Sequence, residues 1–417
     1  MELFKRNSPK QIVGKDIPRK GTTIQVKPFD VDIVYAELTA LAKSRVKNYH
    51  GPDSALYSAI YPLVCVTRLF GLAPYDFTAD RMTVSNVYLV FSLAFLAIYS
   101  YIMYIVFLRL VSLKRAKSIL SVVETTKVIV NYMVAMYELV SCVFRREKFV
   151  RIWNALEDYD ERIARLGYPR DETRTGIAAW ALLIDQTVIW ILVNQSGMYA
   201  FMETWFFNVS YMCTYVGTAV SVYKFVGMVS FVGQRFHQLN RITRDNLPAR
   251  VGYKSTTLSR KTIQELHEEL MSIAEGLGSL YSWSLLFWLG NLSVHSVSNL
   301  YFICDWMIVT LRTDIAFPLI VNMSIWLIGF ITQLLMVNIC CDYAITEANS
   351  MGGILVEWDA RVIGRFPHDD SVRASLYLLT RRLQFSAGGL FDVNLPLLFS
   401  IVSQLSTYLI ILLQFPA

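Results

Sequence analysis

The sequence predicts an all-α polytopic membrane protein, and three observations carry that prediction. First, only 17% of the 417 residues are charged while 54% are hydrophobic, and the mean hydropathy is +0.40. A soluble globular protein carries about 25% charged residues. Second, the apolar residues gather in long blocks. Third, short basic segments separate the blocks, which is typical of a chain that crosses a bilayer repeatedly.

Eight apolar blocks can be drawn, and most are long enough for a helix across a hydrocarbon core about 30 Å thick. They cover residues 56–73, 84–111, 120–144, 176–201, 204–233, 279–307, 313–341 and 392–415. Only helices and closed barrels satisfy their backbone hydrogen bonds in lipid, and these blocks are too long to be barrel strands. The membrane part is therefore predicted to be wholly helical.

The distribution of Lys and Arg predicts the orientation of the blocks, since basic loops stay in the cytoplasm. Basic residues concentrate ahead of residue 54 and in the connections 145–174, 234–270 and 342–390. The segment after residue 391 has none. The basic segments are therefore predicted to be cytoplasmic, and the C-terminal end of the chain is predicted to be extracellular.

Two predicted cytoplasmic segments flank the first three blocks, so an even number of crossings must lie between them. Block 56–73 is short and contains Pro62 and Arg68. Its demotion to an interfacial helix would leave the basic stretch SLKRAK, residues 112–117, outside the cell. Demotion of block 120–144 obeys the charge rule but leaves an apolar helix in water. Residue chemistry leaves both alternatives open.

The basic connections are predicted to contain helices of their own. In 146–166 the apolar side chains Val150 and Trp153 belong to a series at helical spacing, and segments 261–280 and 371–385 show the same period. A layer of cytoplasmic helices is therefore expected, and the helix of the sixth block is expected to begin well inside the cytoplasm.

The last block contains a polar stripe. Ser400, Ser403, Thr407 and Gln414 follow at spacings of 3, 4 and 7, and at about 100° per residue they share one face with Ile411. In a bilayer such a stripe either packs on a neighbouring helix through hydrogen bonds or lines water. One helix alone does not decide between the two.

The end of the same block carries a specific motif. Residues 407–415 read TYLIILLQF, and this stretch resembles the Thr-Tyr, five-apolar, Gln-Phe signature that ends the insect gustatory receptors. HQLN at 237–240 resembles the cytoplasmic pattern of that family, and AIYPLVCVTRLFGLAPY at 59–75 resembles the segment before its first span. The resemblance covers both ends and the middle of the chain.

The resemblance implies a seven-helix subunit with a cytoplasmic N-terminus and an extracellular C-terminus, in a family related to the insect odorant receptors. It implies a homotetrameric, ligand-gated, non-selective cation channel that passes Na⁺, K⁺ and Ca²⁺. Such a channel depolarises sensory neurons from their plasma membrane when a tastant binds. Block 56–73 then becomes the block that does not cross the bilayer, and the SLKRAK loop is expected outside the cell.

On this reading the chain divides into five parts. These are a cytoplasmic tail over 1–54, an interfacial helix and approach to the first span over 55–83, a six-helix ligand-binding transmembrane domain with cytoplasmic extensions over 84–341, a cytoplasmic anchor segment over 342–390 and a pore-lining helix over 391–417.

The resemblance also assigns roles to the stripe, because one final helix per subunit would line a central pore. Four copies of Gln414 would form an amide ring near the extracellular mouth, and four copies of Ile411 would form an apolar ring just below it. Apolar constrictions gate by dewetting, and polar rings replace part of an ion's hydration. We expect these two rings to form the gate, and Thr407, Ser403 and Ser400 to line the wider pore.

A second set of residues predicts where the stimulus binds. In block 279–307, Trp288, Asn291, His295 and Asn299 recur at helical spacing in the half predicted to be extracellular. Other blocks contribute Asp185, Trp190, Tyr211, Tyr215 and Trp326. Aromatic walls with a few polar groups suit a small polar molecule. An interfacial belt is the alternative for the aromatic residues, and a structural hydrogen bond is the alternative for Asp185.

No constellation of an enzyme is visible, since the sequence has no Gly-rich phosphate loop, zinc spacing or Ser/His/Asp set. The six cysteines lie in or beside apolar blocks, which predicts neither a disulfide frame nor a metal site. No basic cluster is interleaved with aromatic residues, so no nucleic-acid partner is implied. The protein is expected to be no enzyme and to need no cofactor.

Two other classes of protein are the alternatives. A G-protein-coupled chemoreceptor would have an extracellular N-terminus, against which stand ten basic residues from Lys5 to Lys47. A small-solute transporter would show internal repeats, and none is visible. Gustatory receptors for the common sweet sugars resemble one another in a Glu after the signature Tyr, where this chain has Leu409. The ligand is therefore expected to be fructose, a bitter compound or an internal nutrient.

Overall fold

The computed structural model describes residues 50, 52, 54–78, 81–112, 118–202, 204–248, 258–310, 317–362 and 376–414. The predicted tail 1–54 lies outside these ranges except at residues 50, 52 and 54. The SLKRAK loop after Ser112, the segment 371–375 and Phe415 of the terminal motif also lie outside them.

Helices dominate the described chain, as the sequence predicts. They are α1 (Ala55–Leu69), α2 (Asn86–Ser112), α3 (Ser118–Phe144), α4 (Arg146–Arg165), α5 (Thr173–Phe201), α6 (Trp205–Asp245), α7 (Arg260–Thr310), α8 (Phe317–Val362) and α9 (Leu395–Gln414). Two short antiparallel hairpins join them, β1 (Tyr75–Phe77) with β2 (Met82–Val84) and β3 (Ser386–Ala387) with β4 (Phe391–Asp392).

Five of these helices are long and apolar enough to cross a membrane, in the segments Asn86–Arg109, Val122–Phe144, Thr173–Phe201, Trp205–Asp245 and Phe317–Arg361. The apolar part of α9, Leu395–Ile411, is shorter, and so is α1. With 15 residues, α1 is about 22 Å long at 1.5 Å per residue, less than the hydrocarbon core of about 30 Å. That length supports the interfacial position expected for block 56–73.

Three helices continue far beyond their apolar blocks. α6 has 41 residues, α7 has 51 and α8 has 46. At about 1.5 Å per residue each is more than 60 Å long, roughly twice the hydrocarbon core. The start of α7 at Arg260 confirms that the helix begins far ahead of block 279–307. The predicted boundary between residues 341 and 342 lies inside α8.

The segment before the last helix differs from the prediction. The amphipathic period over 371–385 predicts one helix, but the described part is helical only over 376–380, and the β3–β4 hairpin follows. Gly388 and Gly389 turn this hairpin with φ of 62° and 75°, a left-handed conformation that glycine adopts without steric cost. The Gly388 N–H donates to the Ser282 carbonyl over 2.9 Å, which ties the hairpin to α7.

The core forms where α6 packs against α7 and α8. On α6, Val222, Phe225 and Val229 are fully buried among apolar side chains of the two neighbours. Where α2 crosses α6, a Cβ on Gly217 would lie 2.2 Å from the Tyr99 hydroxyl oxygen. A glycine at this crossing therefore permits the close approach that small residues give to membrane helices.

Beyond the apolar core, one buried arginine joins three segments. Arg235 of α6 is 0% exposed and donates to both oxygens of Asp160 on α4, over 3.0 and 2.5 Å. It also donates to Glu172, just before α5, over 3.2 Å. Burial raises the pKa of Glu172, but the charges of Arg235 and Arg170 together outweigh it and hold that pKa below its usual range. The arginine therefore acts as a tether between α4, α5 and α6.

Candidate ligand-binding site

The centre of the candidate site is a row of polar side chains on α7. Asn291, His295 and Asn299 follow one another at four-residue intervals, which places them on one face of the helix. Each is at most 2% exposed. The row therefore faces the interior of the helix bundle, as expected for polar groups on a membrane helix.

Hydrogen bonds connect this row to α3 and α6. Asn291 Nδ2 donates to Asn131 Oδ1 over 3.1 Å, and Asn131 Nδ2 donates to Thr214 Oγ1 over 3.3 Å. His295 Nδ1 is 2.8 Å from the Asn291 carbonyl oxygen, and its Nε2 is 3.3 Å from the Tyr215 hydroxyl. Because a carbonyl only accepts, Nδ1 carries the proton of the neutral ring, and the Tyr215 hydroxyl donates to Nε2.

A buried ion pair closes the C-terminal end of the row, at Asn299. Lys127 Nζ on α3 donates to Glu124 Oε1 over 2.8 Å and to Asn299 Oδ1 over 2.9 Å. The two charged residues are 4% and 7% exposed. Such a pair persists in a dry environment only when additional hydrogen bonds supplement the charge attraction. The Asn299 amide supplies one of these hydrogen bonds.

Aromatic rings form the wall opposite the row. The Tyr215 ring lies 5.3 Å from His295 and 4.9 Å from Trp326 between centroids. The Trp326 ring lies 5.5 Å from Trp190 and 6.2 Å from Tyr211. All four contacts are edge-on, an arrangement favoured by the ring quadrupoles. The structure thus brings seven of the predicted ligand-binding residues into one cluster, namely Asn291, His295, Asn299, Trp190, Tyr211, Tyr215 and Trp326.

Two predicted ligand-binding residues lie elsewhere. Trp288 is fully buried in the main core, where its ring packs against Phe225 at 5.7 Å and Tyr281 at 5.9 Å. Asp185 is exposed on α5 and accepts a hydrogen bond from Gln186 Nε2 over 3.1 Å. Neither forms a hydrogen bond or ring contact with the polar row within the described ranges. Trp288 shares a helix face with His295 but lies seven residues, about two turns, before it, where the main core surrounds its ring.

The set of predicted residues also omits members of the cluster. Glu124, Lys127, Asn131 and Thr214 complete its polar network, and Phe330 stacks on Trp326 at 5.5 Å. The charged residues Glu124 and Lys127 could have been predicted from the sequence, because charged groups inside an apolar block usually face a bundle interior or water. Thr214 and Phe330 carry none, since neither stands out from an ordinary membrane helix.

Two amide atoms of the row have no hydrogen-bond partner within the described ranges, Asn291 Oδ1 and Asn299 Nδ2. An unpaired buried polar atom costs roughly 1–3 kcal/mol. One atom is an acceptor and the other is a donor, so each can bind a hydroxyl group of a small molecule without displacing a protein contact.

A cavity of about 590 Å³ lies beside the cluster, between α1, α5 and α6. Its wall is mainly apolar and is interrupted by polar side chains such as Gln186, Asn194 and Gln195. Trp190 lines the cavity and also packs against Trp326, so this ring lies between the cavity and the cluster. The volume falls within the range of about 300–1,000 Å³ that is typical of small-molecule sites.

The polar stripe of α9 faces away from the rest of the chain. α9 packs on α7 and α8, with Leu398 buried and Leu405 and Leu409 half-buried. The stripe residues are all exposed: Ser400, Ser403, Thr407, Ile411 and Gln414. At about 100° per residue the packed leucines and the stripe are centred roughly 180° apart. The stripe therefore lies on the face opposite the one by which α9 is held.

Comparison with known proteins gives one family and a small group of relatives. The model of the family described as 7tm Chemosensory receptor matches residues 60–416. Among proteins of Drosophila melanogaster, the chain is 30% identical over 176 residues to "Putative gustatory receptor 2a" and 29% identical over 177 residues to gustatory receptor for sugar taste 43a. The matches cover 37% and 42% of this chain, and 40% of the length of each relative.

Solved structures resemble the fold over most of its length. The insect olfactory receptor OR5 from Machilis hrabei superposes with a TM-score of 0.59 at 14% identity, over 86% of this chain and 98% of that one. The same receptor in complex with eugenol gives 0.58 at 15% identity over the same shares. At this identity the likeness concerns the fold. Because the family model extends over nearly the whole sequence, the chain belongs to the 7tm chemosensory receptor family of insect gustatory and odorant receptors.

Proposed function

We propose that the protein is a subunit of a tastant-gated, non-selective cation channel in the plasma membrane of sensory neurons. The observation that carries the channel proposal is the position of the α9 stripe. A pore helix must be held by its own subunit on one face and must present polar groups to the ion path on the other. On α9 the two faces are nearly opposite, and the outward one carries hydroxyl and amide groups.

One side of α9 fits the same proposal. Phe399, Val402 and Ile410 are 71%, 50% and 58% exposed and lie between the packed face and the stripe. In an assembly around a central axis these side chains would contact the neighbouring copies. A homotetramer would then enclose the stripe and cover the apolar flanks at the same time.

The stripe has the chemistry of a weakly selective ion path. The Ser400 and Thr407 hydroxyls donate to carbonyls of their own helix over 3.2 and 3.0 Å, which leaves their oxygen lone pairs free. Such dipoles, with the Gln414 amide, can replace part of an ion's hydration shell without a formal charge. Little discrimination among Na⁺, K⁺ and Ca²⁺ is therefore expected.

We further propose that the stimulus binds at the polar row of α7. Asn291 Oδ1 and Asn299 Nδ2 would hydrogen-bond ligand hydroxyls, and the ring of Tyr215 or Trp326 would cover an apolar face. A fructose-type sugar or a bitter compound offers both kinds of surface. The similarity to a receptor for sugar taste supports the sugar.

The cavity between α1, α5 and α6 is a second candidate for the ligand. With a volume of about 590 Å³ it has space for a small molecule, whereas the side chains of the polar row are closely packed. Gln186, Asn194 and Gln195 would then supply the polar contacts, and Trp190 would connect ligand binding to the aromatic wall.

Ligand-evoked current in excised membrane patches tests the channel proposal. The full chain would first be screened by calcium imaging against sugars and bitter alkaloids to find an agonist. Outside-out patches would then be recorded with no nucleotide in the pipette, beside patches from untransfected cells. We expect agonist-evoked unitary openings in the first patches alone. Loss of all current on excision would indicate a G-protein-coupled receptor, and a current without unitary openings that follows the agonist gradient would indicate a transporter.

A further inference from the structure

A cluster of ligating side chains lies outside the sites described above, at α4 and at residue 50. His50 Nε2 is 3.0 Å from Glu161 Oε2 and 3.7 Å from Asp158 Oδ1. These three atoms all lie within 4.8 Å of one another. On α4 the two carboxylates stand three residues apart, which places them side by side on the helix surface.

A buried carboxylate on the far side of the imidazole is the second observation. The Glu157 side chain is 1% exposed, and its Oε2 lies 3.6 Å from His50 Nδ1. Neither of its oxygens has a hydrogen-bond partner within the described ranges. A metal-bound histidine almost always donates its other ring N–H to a carboxylate or carbonyl, which fixes the tautomer that exposes the ligating nitrogen. Glu157 stands where that acceptor belongs.

We propose that His50, Asp158 and Glu161 bind a transition-metal ion of the Zn²⁺ type, with Glu157 orienting the imidazole. The imidazole nitrogen disfavours Ca²⁺ and Mg²⁺, which prefer oxygen ligands. A tetrahedral ion with bonds of about 2.1 Å holds its ligand atoms about 3.4 Å apart. The separations of 3.0 and 3.7 Å in the structure lie on either side of that value. Water would complete the coordination.

Two arginines contact the same carboxylates, and of the two only Arg81 bonds an oxygen proposed as a ligand. Arg165 bonds Glu161 through Oε1, at 2.5 Å, so Oε2 stays directed at His50. Arg81 bonds Asp158 Oδ1 over 3.1 Å, and its side chain is 56% exposed. The guanidinium can therefore move into water when the ion binds. Without an ion the cluster would be a set of polar contacts between His50 and the α4 carboxylates, and the experiment distinguishes that arrangement from a metal site.

The bound ion would fasten residue 50 to α4. α4 is also joined to α7, because Arg162, one turn after Asp158, bonds Glu265 over 2.9 Å and Glu269 over 3.1 Å. The ion would thus connect the segment leading into α1 to the same helix that carries the polar row. This site lies in a part of the chain that the charge rule assigns to the cytoplasm.

Zinc binding to the purified full chain tests the proposal. The protein would carry no polyhistidine tag, would be held in lipid nanodiscs, and would be treated with chelator before equilibrium dialysis against Zn²⁺ and metal analysis. We expect one Zn²⁺ per chain. Glu157→Gln should weaken binding about 10- to 100-fold, as for other residues that orient a ligand. His50→Ala and Glu161→Gln should weaken it at least as much.

His237→Ala is the matched control, because the His237 ring also contacts a carboxylate, Glu347, over 2.9 Å, but no other acidic group among the described residues completes a site there. It should bind Zn²⁺ like the unchanged protein. Gel filtration would verify that each variant is folded. The absence of stoichiometric Zn²⁺ from the unchanged protein would overturn the proposal. So would equal Zn²⁺ affinity in folded His50→Ala or Glu161→Gln protein, since the cluster would then be a set of polar contacts only.

Discussion

Two asparagine side chains on α7 each use one amide atom in the protein's own hydrogen bonds and leave the other amide atom for a ligand. Asn291 uses Nδ2 to bond α3 and keeps Oδ1 free, whereas Asn299 uses Oδ1 to accept from Lys127 and keeps Nδ2 free. Each side chain is thus oriented by the protein through one atom and offers the other. Orientation in advance lowers the entropy cost of binding a ligand, which is the general benefit of preorganised sites.

At this scale we predict that Asn291→Ala and His295→Ala each raise the half-maximal agonist concentration about tenfold or more. Asn291→Ala removes one ligand hydrogen bond of about 1.4 kcal/mol, which corresponds to a factor of ten in affinity. His295→Ala removes the group that orients both the Tyr215 hydroxyl and Asn291 beside the ligand. Calcium imaging of concentration–response curves, normalised to surface expression, measures the shift. Asp185→Asn is the control, since Asp185 is exposed and lies outside the cluster, and it should leave the curve unchanged.

The same measurement distinguishes the row from the cavity. If Asn291→Ala and His295→Ala leave the curve in place while Gln186→Ala or Asn194→Ala shifts it, the ligand binds in the cavity between α1, α5 and α6. Trp190→Ala should shift the curve in either case, because its ring contacts both locations. No shift from any of these variants would contradict both locations.

At the scale of elements, the long helices are joined by charges where they leave the apolar core. Arg235 lies two residues past the predicted end of its apolar block and is bonded to Asp160 and Glu172. Removal of one member of a buried ion network is costly because the partners stay buried and unpaired. The network thus fixes the positions of α4 and α5 relative to α6.

We predict that Arg235→Met destabilises the protein by about 3–5 kcal/mol, a fall of roughly 3–6 °C in Tm for a chain of this length. Arg241→Met, on an exposed position of the same helix, should have no such effect. Intrinsic-fluorescence melting of purified protein measures both. Because the folded pKa of Glu172 is depressed, its stabilisation is present at neutral pH and is lost as pH falls through that pKa. The difference between the two variants should therefore narrow in acid, and equal Tm values at neutral pH would contradict the tether.

The sequence predicts most elements but not their ends. Apolar blocks mark the segments of the chain that can cross a bilayer. The positions of α2, α3, α5 and the first parts of α6 and α8 are therefore predictable from composition. Beyond their apolar blocks α6 and α8 continue as amphipathic helices. Hydropathy falls there although the helix does not end, so hydropathy alone does not predict where these helices end. The β3–β4 hairpin depends on Gly388 packing against Ser282, a contact between residues 106 positions apart. Similarly, the α7 face was predictable, while its partners on α3 depend on how the helices pack.

At the scale of the whole molecule, a single chain leaves its last helix mostly uncovered. Tyr408 and Ile410 of α9 are each 58% exposed, and the polar stripe beside them is exposed as well. The apolar flanks of this surface are unfavourable in water, and the narrow polar stripe between them is unfavourable in lipid. Assembly of several copies about an axis resolves the conflict, because the flanks then meet protein and the stripe meets water.

Gln414 provides the test of this assembly, because a charge placed there would be repeated in every subunit around the ion path. A unit charge about 5 Å from an ion in water contributes about 0.8 kcal/mol, a factor of about four in local cation concentration. We predict that Gln414→Glu raises single-channel conductance and the permeability to Ca²⁺ relative to Na⁺ by at least about that factor, whereas Gln414→Ala changes conductance without favouring Ca²⁺. Gln195→Glu makes the same chemical change on α5 and should preserve both quantities at saturating agonist. Unchanged conductance and permeability ratios in both Gln414 variants would show that the α9 stripe does not line the pore.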